Sequence, residues 1–400
     1  MLLGFKTQIR VKSSLRVPLA QHAGIARHAY NWGLTLCQQI LAHNKANPEE
    51  KIKFPTAIDL HKWLVATAPG PGFSKSRDEA QSVKPEFPWY YESSKCAPQY
   101  ALKHLREAWD RCFNKTAGEP NFKKKGRDDS FTLDGTIKVI DHQKIQVPVI
   151  GVLKTYERLP FGYKPSSVTI SRQADRWFIS FKIEVEPKPT DATGAVGINL
   201  GLLRFATLSN GEEIESPRPY KQLEHQLAKL QWRNRHKELH SKNWKKAQVK
   251  IARLHARIAN IRLDFLHKLT TRLAKKHGQI VIEDLNVRGM IAFGHLAKAV
   301  SDSGFYEFRR QLEYKCQLYG SKLTLASRWF ASSKTCFNCG LEKEKLPLSM
   351  RVFECDCGWK ADRDYNASLN LVRLVWPEVT PVDTKPPRFV VETGSFCEHL

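Results

Sequence analysis

The chain has 400 residues, of which 42% are apolar and 26% charged, the composition of a folded protein of two or three domains. No stretch reaches the roughly 18 uninterrupted apolar residues of a membrane span, and a lysine at position 6 interrupts any secretory core, so a non-exported, cytoplasmic protein is expected. Lys and Arg number 64 against 40 Asp and Glu, a net charge of +24, which points to a polyanionic partner, nucleic acid before membrane.

In chain order, Phe5–Lys12 alternates with the period of a half-buried strand. Helical patterns fill residues 18 to 113, and the Pro/Gly/Lys segment 118–129 closes them. Strand patterning returns over 130–186, with a hairpin turn near Gln173 to Asp175. One β domain split by a helical insertion accounts for this order. After a linker at 186–194 come an apolar strand through VGINLG and a turn at Ser209-Asn210-Gly211. Residues 219–277 read as a two-helix hairpin, and the window 221–276 holds 16 Lys and Arg against three acids. A second strand, QIVIEDL, leads to a Gly-rich loop with Arg288, Gly289 and Met290. One helix over 301–320, a third strand KLTLAS, a cysteine segment and a last helix NASLNLVRLV follow. The proline-rich tail from Trp376 is expected to lack order.

The cysteine segment pairs Cys336 with Cys339 and, fifteen residues on, Cys355 with Cys357, each pair followed by a glycine. Two chelating pairs at this separation match a structural four-thiolate zinc ribbon. A closed site of this kind positions elements and leaves no coordination position for catalysis. Cys37, Cys112 and Cys316 sit in apolar helical patterns and read as core.

Asn199, Glu283 and Asp364 each lie at the end of an apolar element. Strand-borne carboxylates converging at a sheet end are what a two-metal phosphodiester nuclease requires. Singly, Glu283 reads equally as a turn residue, and Asp362 or Asp364 as a helix cap. The basic hairpin offers Arg233, Arg235, Lys245, Lys246, Arg253 and Arg257 to phosphates, with Trp232 and Trp244 available for stacking. Lys123, Lys124, Lys125 and Arg127 form a second basic run. Both basic regions also read as merely solvated faces.

GINLGLLRFATLSNG, IVIEDLNVRGM, the cysteine pairs and DRDYNASLNL, in that order, resemble the RuvC-like nuclease half of the TnpB family, transposon-encoded RNA-guided DNA nucleases ancestral to small type V CRISPR effectors. The resemblance extends upstream through PNFKKKGR and SSKCAPQYALKHLREAW to about residue 1. It implies an α+β multidomain protein with a β-barrel-like wedge domain at 1–15 and 126–188, and an inserted helical recognition domain at 16–125. A RuvC-like α/β nuclease domain of ribonuclease-H type follows at 192–328 and 360–375, with a zinc ribbon at 329–359 and a tail at 376–400. It further implies a guide RNA and double-stranded target DNA as partners, structural Zn, catalytic Mg, a prokaryotic, nucleoid-associated location, and a monomer on one RNA. At the positions of Lys95 and Gln99, four apart near the start of a helix capped by Ser94, the family contacts a short duplex motif flanking the target.

The family's first acidic ligand is an aspartate where this chain carries Asn199. An amide is neutral and a poorer bridge between two Mg²⁺ ions, so cleavage is expected to be abolished or strongly impaired, while guide-directed binding survives. The pattern fits a point inactivation, a naturally nuclease-inactive guide-directed repressor, or a guide-independent zinc-containing nucleic-acid-binding protein.

Overall fold

The computed structural model describes residues 1–65, 90, 92–160, 162–347 and 349–381. The chain divides into two units, Met1–Val185 and Glu186–Leu400.

In the first unit, β1 (Leu2–Gln8) is followed by helices α1 (Ser13–Ala46), α2 (Ala57–Val65) and α3 (Cys96–Phe113). The strands β2 (Ser130–Asp134), β3 (Lys138–Asp141), β4 (Lys144–Val147), β5 (Gly151–Lys154), β6 (Ser167–Gln173) and β7 (Arg176–Glu184) complete it. The period-2 alternation of the first strand is present, with Thr7 buried between more exposed neighbours. Its bounds lie earlier than Phe5–Lys12, because the chain leaves the sheet after Ile9 and Lys12 caps α1. The β6–β7 hairpin turns between Gln173 and Arg176, as its turn residues indicate.

The four-stranded sheet runs β1-β7-β6-β2, so the N-terminal strand pairs with the last strand of the unit; β3-β4-β5 is a separate three-stranded sheet. Among the described residues neither sheet closes, which corrects the barrel-like expectation; three or four strands are too few to return on themselves at barrel tilt. Between α1 and α3, Leu34, Leu102, Leu105 and Trp109 are buried. A side chain at Gly33 would meet Leu102 and Leu105 at 2.7 and 2.9 Å, so glycine sets how closely these helices approach.

The second unit opens with β8 (Ala195–Leu200), β9 (Ala206–Leu208) and β10 (Glu213–Ile214), then α4 (Pro219–Arg235) and α5 (Lys242–Lys276). It continues with β11 (Gln279–Glu283), α6 (Val287–Ala292), α7 (Ala297–Ser303), α8 (Phe305–Tyr319) and β12 (Lys322–Ala326). The hairpin strands β13 (Val352–Glu354) and β14 (Lys360–Asp362) precede α9 (Arg363–Arg373). The sheet order is β10-β9-β8-β11-β12, with β8, β11 and β12 parallel, and the centres of β8 and β11 are buried, as in sheets covered on both faces. The α4–α5 hairpin matches the helical span 219–277, with Leu227, Leu254 and Ile258 buried in its seam.

Two segments differ from expectation. Arg288, Gly289 and Met290 belong to the short helix α6, where the Asn286 side chain accepts from the Gly289 N–H at 3.1 Å. The helix expected over 301–320 breaks at Gly304, whose φ of 74° few other residues tolerate. The break places Asp302 against the start of α4, where its carboxylate accepts from the N–H groups of Tyr220 at 3.0 Å and Lys221 at 3.3 Å. Of the tail expected to lack order, residues 376–381 are described, with Val379 packed beside Phe337 and Leu369; the remainder lies outside the described residues.

Helix α9 lies directly on β8. A Cβ at Gly197 would sit 2.1 Å from the Ser368 carbonyl oxygen and 2.6 Å from the Val372 nitrogen, both backbone atoms that only a movement of the helix can relieve. Gly197→Ala is therefore expected to destabilise the second unit by about 3 kcal/mol, read as a lower urea midpoint at unchanged slope.

Candidate functional site

Parallel pairing of β8 with β11 sets Ile198 against Ile282, so Asn199 and Glu283 follow one residue later on neighbouring strands at the same sheet end. Asp364 arrives from α9, whose N-terminus is capped by Asp362; that carboxylate accepts from the N–H groups of Asp364 at 2.8 Å and Tyr365 at 3.1 Å. Asn199 Nδ2 donates to Asp364 Oδ1 at 3.1 Å. Glu283 Oε1 accepts from the Ser332 hydroxyl at 2.5 Å. Asn199 and Asp364 are thus in contact, and Glu283, at the same sheet end, lies near enough to Asp364 to feel its charge. Of the two capping candidates, Asp362 caps the helix and leaves Asp364 facing the sheet.

Burial pushes the Glu283 carboxyl above its ordinary range, with the Asp364 charge adding to the shift and the Ser332 hydrogen bond opposing it. Asp364 is raised by burial and then by Asp362, with the Arg351, Arg363 and Arg204 charges opposing. Neither forms an ion pair among the described residues. Two desolvated carboxylates facing each other favour a cation or a proton between them.

The sign of the pH effect follows. A carboxyl raised in the fold binds its proton more tightly there than in the unfolded chain, so its stabilising contribution is full at low pH. That contribution is lost as pH rises through the elevated folded value. Metal-free Glu283→Gln is expected to melt above the parent at pH 7.5, the gap closing as the pH falls into the ordinary carboxylate range; melting curves across pH check this.

Sequence reasoning missed Ser332, Asn366 and Asn370. Asn366 Oδ1 accepts from the Phe337 N–H at 3.1 Å and from Trp359 Nε1 at 2.9 Å. Asn370 Nδ2 donates to the carbonyls of Ser332 at 2.9 Å and Thr335 at 2.7 Å. Both asparagines are buried, four residues apart on α9, a spacing that signals one shared helix face. No local pattern identifies Ser332.

The cysteines form a second site. The Sγ atoms of Cys336, Cys339, Cys355 and Cys357 lie within 4.8 Å of one another, with Cys336–Cys357 and Cys339–Cys355 each at 3.6 Å. Tetrahedral thiolates at about 2.3 Å from zinc stand about 3.8 Å apart, so the set fits a zinc ribbon. Gly340 and Gly358, at φ 78° and 87°, donate to the carbonyls of Cys336 and Cys355 at 2.9 Å and close the two knuckles. The Trp359 backbone N–H leads the causes that bring the Cys357 thiol down to about 6, while burial pushes the Cys336 thiol up to about 12.

The basic positions divide. In the first unit, Lys124, Lys125 and Arg127 are exposed. Lys123 turns inward instead: its Nζ lies 4.1 Å from the Tyr30 ring centroid and burial lowers its pKa, so it is withdrawn from the basic run. Lys95 is exposed and Gln99 half-buried on one face at the start of α3. Ser94 is buried, and its hydroxyl accepts from the Cys96 N–H at 3.3 Å, the bond of a helix cap, with Lys95 already in the helical region of φ/ψ. In the second unit, Arg233, Arg235, Lys245, Lys246, Arg253 and Arg257 are exposed on the α4–α5 hairpin. Trp232 is exposed and Trp244 half-buried.

Family profiles match three stretches: a probable transposase of the OrfB_IS605 type at residues 178–293, the TNB domain of Cas12f1-like proteins at 305–371, and a helix-turn-helix domain at 1–46. A "Putative RNA-guided DNA endonuclease" of Streptomyces pristinaespiralis is 40% identical over 304 residues, 72% of this chain and 73% of that one. The chain belongs to the TnpB family of RNA-guided DNA endonucleases. A second TnpB relative, InsQ of Escherichia coli, carries the same description and is 32% identical over 390 residues, 93% of this chain and 92% of its own. In fold, this TnpB-family chain resembles Cas12f1 from its complex with sgRNA and target DNA, at a TM-score of 0.55 and 13% identity, over 90% of this chain and 83% of that one. No helix among the described residues is long and apolar enough to cross a membrane.

Proposed function

We propose that this protein binds a guide RNA and directs it to double-stranded DNA beside a short flanking motif, with strand cleavage abolished or strongly impaired by Asn199. The observation that carries the reading is the hydrogen bond from the Asn199 amide to Asp364 at 3.1 Å. It occupies a carboxylate oxygen that a metal would need and presents N–H donors where the family has an anion. Glu283 and Asp364 are the carboxylates that would hold a divalent cation, and Asn199 offers only a neutral oxygen after its amide turns over. Mg²⁺, when bound, supplies Lewis-acid stabilisation of the charge that develops in phosphodiester hydrolysis. This chain's own residues shape the pocket: Ser332 fixes Glu283, Asp362 fixes the start of α9, and the Asn199 amide fixes Asp364.

Binding requires none of this. The exposed residues Lys124, Lys125 and Arg127, and the basic face of α4 and α5, suit the phosphates of an RNA or an RNA–DNA hybrid. Lys95 and Gln99 are assigned to the flanking duplex, where glutamine reads adenine and lysine reaches guanine or phosphate. The four cysteines are assigned one structural zinc. The test is a plasmid carrying the guide-matched target, incubated with the purified ribonucleoprotein and Mg²⁺. Guide-dependent binding without cutting is expected; robust cutting by this chain refutes the impairment. Purification without any stoichiometric small RNA, together with guide-independent binding, refutes the guide.

A further inference from the structure

A cleft of about 220 Å³ opens beside Glu283, and its walls include Arg288 from α6, Tyr306 and Arg309 from α8, and Arg328 from the loop after β12. Three guanidinium groups thus share a narrow space with a candidate metal ligand. Asp284, next in sequence to Glu283, holds two of them: its Oδ1 accepts from Arg309 Nη1, and its Oδ2 accepts from Arg328 Nη2 at 2.7 Å. Arg309 is tied a second time, its Nε donating to Glu313 at 2.9 Å. Arg288 is exposed and makes no ion pair among the described residues. Tyr306 lines the same cleft and is 67% exposed, so its ring is open to a stacking partner.

We propose that Arg288, Arg309 and Arg328 form a phosphate rail for one DNA single strand leading to Glu283, with Tyr306 as its stacking platform and Asp284 as the positioning residue that aims two of the three guanidiniums. The inference rests on the guide-directed reading, because pairing of a guide with one strand of a duplex displaces the other as a single strand. The cleft favours one strand over a duplex: it is narrow, and an exposed ring can stack only on an unpaired base. Guanidinium forks match phosphate oxygens; Asp284 engages one nitrogen of Arg328 and, with Glu313, two of Arg309, so each fork keeps N–H groups for a phosphate.

The test uses the full-length protein with its copurifying guide RNA and a labelled ~12-nucleotide DNA single strand bearing 5-iodouracil, within the site sizes known for single-strand binders. Affinity is measured by anisotropy across a salt series, and photoadducts are mapped by mass spectrometry. An adduct at Tyr306 is expected. Arg288→Ala and Arg328→Ala should each reduce the magnitude of the log–log salt slope by about 0.7. Tyr306→Ala should weaken binding roughly tenfold. Asp284→Asn separates positioning from charge: removing an anion ought to strengthen binding by electrostatics alone, whereas the rail requires it to weaken.

Unchanged affinity and slope in both arginine variants, tighter binding by Asp284→Asn, absence of the Tyr306 adduct, or preference for an RNA strand of the same sequence would each overturn the rail. Arg328→Gln serves in place of any Arg328→Ala protein whose melting curve is lowered. Guide-directed duplex binding is measured on the same samples. Its absence alongside intact single-strand effects sinks the guide reading and leaves the rail; its presence without those effects sinks the rail alone.

Discussion

Replacing Asn199 with aspartate is expected to raise cleavage of a guide-matched plasmid by roughly 10³-fold or more, from a baseline near zero. The substitution is isosteric and sits on a strand whose backbone is already paired, so the fold has nothing to rearrange. It exchanges an amide that donates to Asp364 for a carboxylate that repels it. Without metal, Asn199→Asp should therefore melt below the parent, and Mg²⁺ should raise its melting temperature more than it raises the parent's. Time courses of supercoiled plasmid at fixed guide and Mg²⁺, paired with melting curves with and without Mg²⁺, read both effects. A larger Mg²⁺ shift with continued silence in the cleavage assay would mean that inactivity extends beyond residue 199, as in a guide-directed repressor adapted to binding alone.

The second large effect concerns the ribbon. One zinc per chain is expected, and Cys336→Ser should remove it and lower the melting temperature by on the order of 10 °C. The thiols account for part of this loss. The ribbon presents the Phe337 N–H and the Trp359 indole to Asn366, and the loop before Cys336 presents the Ser332 and Thr335 carbonyls to Asn370. Ser332 in turn holds Glu283. Unfolding the ribbon thus strands two buried amides on α9 and frees a carboxylate in the candidate centre. In an Asn199→Asp background, Cys336→Ser is expected to abolish the recovered cutting. Metal analysis showing no zinc in the parent, with stability unchanged in Cys336→Ser, would defeat the assignment.

What was legible in the sequence followed from local rules. Asn199 and Glu283 could be placed because each ends an apolar strand, and parallel strands bring their ends to one edge of a sheet; Asp364 stands in the first turn of the last helix. The cysteine spacing and its glycines specify their own knuckles. The β6–β7 turn and the α4–α5 hairpin are likewise short-range. What escaped depends on contacts between distant segments. Ser332 has no local mark, since its partner lies 49 residues away. The break at Gly304 follows from Asp302 capping a helix 82 residues upstream, while the pattern of 301–320 taken alone favours one continuous helix. Lys123 shares its run with Lys124 and Lys125, and only the proximity of Tyr30 separates it from them. Sheet closure depends on strand count and edge pairing, which alternation does not encode.

The stretch that follows Val185 reads as a linker, yet its backbone is anchored: the Lys188 and Thr190 N–H groups donate to the carbonyls of Leu318 and Tyr319 at 2.7 and 2.9 Å, closing the C-terminal end of α8. Anyone dissecting the protein should accordingly sever it at Glu186. A fragment starting at residue 192 would strip those carbonyls of their partners and fray the end of α8, and its failure to fold could be misread as dependence on the missing half.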